Sequence, residues 1–262
     1  MPLKAPSYCL LFPLQDYPEN MKDPKYSRWN LDNTTQIMAT KFPEDCVMLI
    51  RASRRKNYGF LKVFFDNFVS KFCHFFGLLS IGINYVLSFS CPETDAIGEG
   101  LFKMTVDPLG HLKILIEQAN VLMPELKLSR ISHLKLVGFS QGMTALNQIV
   151  YSLSALNNYN DISLHQFASL IQHIYWLDGG KCWITDRDVL QVVKQRKIKC
   201  HIAVTPFQVK NPERPKNQKN ALIFKQILKD LKVDFNFHLY YEDQEPTTDI
   251  HFQLLEDFVP PS

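Results

Sequence analysis

The sequence of 262 residues predicts an α/β fold, a mostly parallel sheet with helices on both faces. Three observations predict it. Strand-like and helix-like segments alternate along the chain, the order produced when parallel strands are joined by crossover helices. Strand segments such as residues 46–52 are nearly unbroken apolar runs, as expected of strands covered on both faces. The run Leu134-Lys135-Leu136-Val137 stops at Gly138-Phe139-Ser140-Gln141-Gly142 and passes straight into helix-forming sequence, a strand–turn–helix junction bracketed by glycine.

The elements follow in order. Residues 8–12 form the first strand. Residues 33–41 form a helix opened by a capping box of Asn33 with Gln36 and closed before Pro43. After the strand at 46–52, residues 53–107 carry no readable periodicity. The helix at 109–122 sets Leu112, Leu115, Ile116 and Ala119 at helical spacing, and Pro124 stops it. The helix at 143–154 does the same with Leu146, Ile149, Val150 and Leu153. A second helix spans about 163–172, and the strand at 173–177 ends in Asp178-Gly179-Gly180. Thr185 and Asp188 form a capping box for a helix at 186–195. A strand at 199–204, a helix at 220–231 and a strand at 234–240 follow, the last with Phe235, Phe237 and Leu239 alternating against polar neighbours. A polar loop, 242–250, then leads to His251 and a short terminal helix. Length and a 46% hydrophobic, 21% charged composition fit one domain, 1–262, with an insertion at about 71–103.

The net charge of +3 is spread along the chain. Its densest basic stretch, residues 210–225, falls on loops and helix faces that solvate such charge, which argues against a nucleic-acid partner. The six cysteines form no CxxC pair and several sit in apolar runs, as reduced thiols of an intracellular protein do. On this basis alone the compartment is cytoplasmic. Residues 1–12 read neither as a signal peptide nor as an arginine-rich transit peptide. The most apolar segment, residues 72–91, is interrupted by His74, Asn84 and several serines, which argues against a stable membrane span.

The glycine-bracketed junction is a nucleophile elbow, which lifts the Ser140 hydroxyl off the sheet and aims the Gln141 N–H at a developing oxyanion. In open α/β sheets functional groups gather at the carboxyl ends of strands. Three fall there in the order Ser140, Asp178, His251, the chain order of α/β-hydrolase triads. The imidazole takes the serine proton, and the carboxylate fixes the imidazole tautomer. His238, the rival to His251, lies within a strand. Asp186 and Asp188 read as carboxylates at a helix N-terminus, and the loop after 199–204 offers only Glu213, which favours Asp178 as the acid over a purely structural role for its Asp-Gly-Gly turn. A second oxyanion donor is expected from Leu14 or Gln15, after the first strand. These roles need neither a metal nor an organic cofactor, and the expected substrate is a small acyl ester or thioester. The competing reading is a binding scaffold with a protein partner.

Beyond these roles, the chain resembles a family of animal serine-hydrolase-like proteins whose human member is a mitochondrial protein named only as an open reading frame of chromosome 2. The resemblance rests on residues 33–54 with Lys41-Phe42-Pro43, on Phe65-Asp66-Asn67-Phe68-Val69, on the elbow through Leu146-Asn147-Gln148, on Tyr175-Trp176-Leu177-Asp178-Gly179-Gly180, on Thr205-Pro206-Phe207-Gln208-Val209 and on Ile250-His251-Phe252. It implies an esterase- or lipase-like α/β-hydrolase fold, the triad Ser140, Asp178 and His251, and mitochondrial residence. The family pattern also implies a strand before residues 8–12, a glycine near Leu14 and small residues after Gly180. Against it the chain is N-terminally shortened, has Leu14 in place of the glycine, and runs directly into Lys181-Cys182-Trp183.

Overall fold

The computed structural model describes residues 7–12, 24–50, 102, 104–122, 124, 130–180 and 183–261, together with the backbone of the strand residues 51–52, 56–58, 61–63, 68–75, 93–94 and 100–101. The chain order is β1 (Ser7–Phe12), a 3-10 turn (Pro24–Trp29), α1 (Leu31–Lys41), β2 (Asp45–Ala52), β3 (Phe68–Phe75), α2 (Asp107–Leu122), β4 (His133–Phe139), α3 (Met143–Ala155), α4 (Ile162–Ser169), β5 (Ile171–Leu177), α5 (Arg187–Gln195), β6 (Lys199–Val204), α6 (Pro206–Val209), α7 (Pro215–Asp230), β7 (Phe235–Leu239) and α8 (Thr248–Asp257). Short hairpin strands at 56–58 with 61–63, and at 93–94 with 100–101, lie outside the main sheet.

The main sheet has seven strands in the order β7-β6-β5-β4-β1-β2-β3. All neighbours pair in parallel except β3, which runs antiparallel to β2 at the edge. The α/β expectation is therefore met, consistent with an α/β-hydrolase-like fold. Two cores explain the unbroken apolar strands. On one face Tyr8, Leu10 and Phe12 pack with α2, α3, α4, α5 and α7. On the other, Cys9 and Leu11 pack with Trp29, Met38 of α1 and Phe252, Leu254 and Leu255 of α8. Each fully buried side chain of this kind contributes about 1.5–3 kcal/mol. The strand order reverses between β1 and β4, and a crevice at such a switch point is where open α/β sheets bind ligands.

Several local expectations change. Asn30, not Asn33, caps α1: its side chain accepts the Asn33 N–H at 2.8 Å. Asp186 caps α5 by accepting from the N–H groups of Asp188 and Val189, so Thr185 and Asp188 form no capping box. Asp161 caps α4 so that it starts at Ile162; the helix ends at Ser169 and β5 begins at Ile171, two residues earlier than expected. Helix α7 starts at Pro215, five residues before the expected start at 220, since proline is preformed for a first helical turn. The elbow helix α3 is buried almost all round rather than on one face, being flanked by α2 and α5 as well as the sheet.

Among the described residues no helix is long and apolar enough to cross a membrane; the apolar segment 72–91 lies outside the described residues beyond the strand backbone at 75. Cys9 and Cys200 are buried free thiols, and burial pushes the half-buried Cys46 thiol up to about 11.

A polar ladder crosses the α1/α8 face. Asn236 Nδ2 meets His201 Nδ1 at 3.0 Å, and His201 Nε2 meets His173 Nδ1 at 3.0 Å. The Tyr175 ring stacks on His201 at 4.3 Å. Burial, then the neighbouring His173, depresses His201 to about 4; burial, then Lys135, depresses His173. Both rings therefore stay neutral in the fold at pH values where the unfolded chain takes up protons. Unfolding binds protons, and stability falls as pH drops from about 6.5 towards 4. Thermal melting across that range should show the loss, and His201→Gln should flatten it. Gly110, in the first turns of α2, has open space where a Cβ would sit. Gly110→Ala should accordingly raise stability by about 0.5–1 kcal/mol, read from the urea midpoint.

Candidate active site

The register of the central strands brings the predicted groups to one level. Phe139 of β4 pairs with Leu177 of β5, so Ser140 and Asp178 each lie one residue past the same rung. Ala203 of β6 pairs with Leu177 on the other side, which sets Thr205 beside Asp178. Ser140 has φ 52° and Asp178 φ 45°, two side chains in the left-handed region. Such backbone is retained only where surrounding structure enforces it. At the elbow, a Cβ on Gly138 would stand 2.8 Å from Leu146 Cδ2 and 3.1 Å from the Met143 backbone, so the close strand-to-helix turn excludes a side chain there. At Gly179 a Cβ would overlap the Met143 side chain, 1.3 Å from its sulfur. The Asp178 turn and the elbow helix thus pack directly against each other. Trp176 Nε1 donates to Asn147 Oδ1 at 2.8 Å, a further tie between β5 and α3.

His251 arrives from α8. Sequence reasoning sets it at the end of a polar loop; the structure puts it inside the first turn and a half of the helix, which Thr247 opens. The 3-10 turn fixes that helix from outside. Trp29 stacks on Phe252 at 5.2 Å, Tyr26 Oη donates to Asp249 at 2.7 Å, and Arg28 pairs with Glu256. The imidazole lies between Phe139, stacked at 4.8 Å, and Phe207, tilted at 5.0 Å.

The three predicted side chains meet. His251 Nε2 lies 2.9 Å from Ser140 Oγ and His251 Nδ1 lies 2.6 Å from Asp178 Oδ2. The Thr205 N–H donates to Asp178 Oδ1 at 2.6 Å and the Thr205 hydroxyl to Oδ2 at 2.7 Å. An ionised carboxylate only accepts, so Nδ1 carries the proton and Nε2 presents its lone pair to the serine hydroxyl. Ser140 is 6% exposed, Asp178 0% and His251 2%. The Gln141 N–H falls in the first turn after the elbow, where main-chain N–H groups have no acceptor within the helix. Leu14 and Gln15 lie outside the described residues. His238 is an exposed strand residue that contacts Tyr240, and Glu213 is exposed.

Sequence reasoning missed Thr205 and the aromatic walls. The only signal for Thr205 was a hydroxyl at a strand end before Pro206. The position after β6 holds a donor, Thr205, that reaches back to the carboxylate after β5. Among the described residues no group of three or more His, Cys, Asp or Glu side chains is arranged to hold a metal.

Two segments of the chain, residues 7–130 and 117–234, match the C2orf69 family model. The chain belongs to the C2orf69 family. It is 27% identical to the mouse mitochondrial protein C2orf69 homolog, covering 92% of this chain and 73% of the relative. Against the human mitochondrial protein C2orf69 identity is 28%, over 92% of this chain and 69% of the relative. The zebrafish homolog is 29% identical, over 88% and 65%. The family-model match of this C2orf69-family chain contains Ser140, Asp178 and Thr205, while His251 lies beyond residue 234. Removing one donor from a buried carboxylate leaves charge undersolvated, so Thr205→Val should cost about 1–3 kcal/mol, measured by urea unfolding, while Thr205→Ser should restore most of it.

Proposed function

We propose that this chain is a serine hydrolase acting on an ester or thioester of modest size. The observation that carries the reading is the relay from Ser140 Oγ to His251 Nε2 at 2.9 Å and from His251 Nδ1 to Asp178 at 2.6 Å, launched from a left-handed elbow. Ser140 Oγ attacks the acyl carbon as Nε2 takes its proton; the imidazolium then gives that proton to the departing alkoxide or thiolate. Asp178 holds the tautomer and stabilises the imidazolium, with Thr205 holding Asp178. The Gln141 N–H faces the charge that develops on the carbonyl oxygen, with a second donor from Leu14 or Gln15. Water repeats the sequence on the acyl-enzyme. This chemistry needs no metal or organic cofactor. The names of the relatives support a mitochondrial location, tested by fractionation of a tagged chain.

The low exposure of Ser140 favours a second reading, a binding scaffold on a hydrolase fold with a protein partner. A fluorophosphonate probe separates the two. On the first reading the probe labels Ser140 with loss of fluoride, Ser140→Ala is not labelled, and His251→Ala is labelled about 10²–10⁴-fold more slowly. A folded protein that takes up no label would overturn the hydrolase reading.

A further inference from the structure

Beside Phe207, at the N-terminus of α7, lies a polar cluster that the relay does not use. Gly180 closes its inner end: a Cβ there would lie 3.4 Å from Gln208 Oε1 and 3.7 Å from Asn217 Nδ2. Gln208 and Asn217 are buried amides, and the Gln208 carbonyl accepts from Asn217 Nδ2 at 2.9 Å and from Arg214 Nη1 at 3.2 Å. Arg214 lies over Phe207, its guanidinium carbon 4.1 Å from the ring centroid. The same ring contacts the His251 imidazole, tilted at 5.0 Å.

Two other cations of this basic stretch have engagements of their own. Lys210 pairs with Glu242, and Lys225 lies over Phe237. Arg214 is half-buried, and among the described residues no carboxylate lies within ion-pair distance of it. Of its five N–H donors, one makes a hydrogen bond to a described side chain. Burial lowers its affinity for its proton; the fields of Asp178, which Thr205 and His251 already occupy, and of the exposed Glu213 act the other way without an ion pair. A planar fork held in place by an aromatic ring and an amide, with donors to spare, is suited to a carboxylate or phosphate.

We infer that Arg214, seated on Phe207 one ring away from His251, is the specificity-determining residue for a substrate that carries an oxyanion several bonds from the reacting carbonyl. The substrate class is then an acidic ester or thioester, with a carboxylate or phosphate on its acyl arm or leaving group. The inference rests on the hydrolase reading for the reaction and on the Arg214 geometry alone for the anion.

The test uses the full chain and three fluorophosphonates of equal length, tipped with a carboxylate, a phosphate or a neutral carboxamide. An anionic tip should label Ser140 about tenfold faster than the carboxamide, the scale of one charge-assisted hydrogen bond. The faster of the two anionic probes identifies the oxyanion. Arg214→Gln should remove the preference, and Arg214→Lys should keep part of it as charge without the fork. Equal rates in the wild-type chain, or a preference that survives Arg214→Gln, overturns the inference. If no probe labels Ser140, the hydrolase reading fails by itself, and calorimetry with Ser140→Ala decides the anion site. Binding of glutarate but not glutaramide, lost in Arg214→Gln, supports it; no binding of glutarate overturns it.

Discussion

The carboxyl edge of the sheet is organised around a fully buried carboxylate, Asp178. Asp178 is closed off completely, and a buried charge of that kind persists only where donors replace its hydration. Two donors come from one residue, Thr205 at the end of β6, and the third from His251 on α8. Satisfying one side chain therefore locks together the ends of two strands and a helix from the opposite end of the sequence. The left-handed turn at 178 lets the carboxylate face that meeting point, and the missing side chain at Gly179 lets Met143 of the elbow helix close against it.

The same packing fixes the imidazole. Phe139 and Phe207 hold its plane, and Trp29, Tyr26 and Arg28 hold the helix that carries it. On the proposed hydrolase reading, a base fixed in this manner needs little reorganisation when a proton moves, which is how preorganised sites gain most of their effect. Enclosure also keeps the serine hydroxyl close to dry, so pocket access and preorganisation oppose each other at Ser140. Gly180, Gln208, Asn217 and Arg214 form a polar cluster on the Phe207 side of the imidazole, and its charge distinguishes it from the aromatic contacts.

Legibility followed the range of the interactions. The elbow was readable because its requirement is local: Gly138 must lack a Cβ within a few residues of Leu146 and Met143, and sequence displays that directly. Strands β1, β2, β4 and β6 were readable because two-sided burial leaves an apolar run. The caps were less so. Asn30 and Asp186 outrank their neighbours through φ/ψ values that only the finished chain entry fixes. Helix α7 was read too short because its first turn is polar and basic, so periodicity had nothing to register. Leu14 and Gln15, expected from the position of the first strand, fall outside the described residues.

Residue order and chemistry by themselves determined the alternation of strands and helices, the nucleophile elbow, and a serine, an aspartate and a histidine at successive strand ends. Tertiary structure decided which atoms touch. Register set Ser140, Asp178 and Thr205 on one level, α8 delivered His251 within 3 Å of two of them, and stacking on Phe207 turned Arg214 inward while its neighbours stayed in solvent. The division has a physical cause. Turn sterics and burial patterns act over a few residues and leave their mark in sequence, whereas pairing across 73 or 111 residues depends on sheet register and helix packing, which no local pattern encodes.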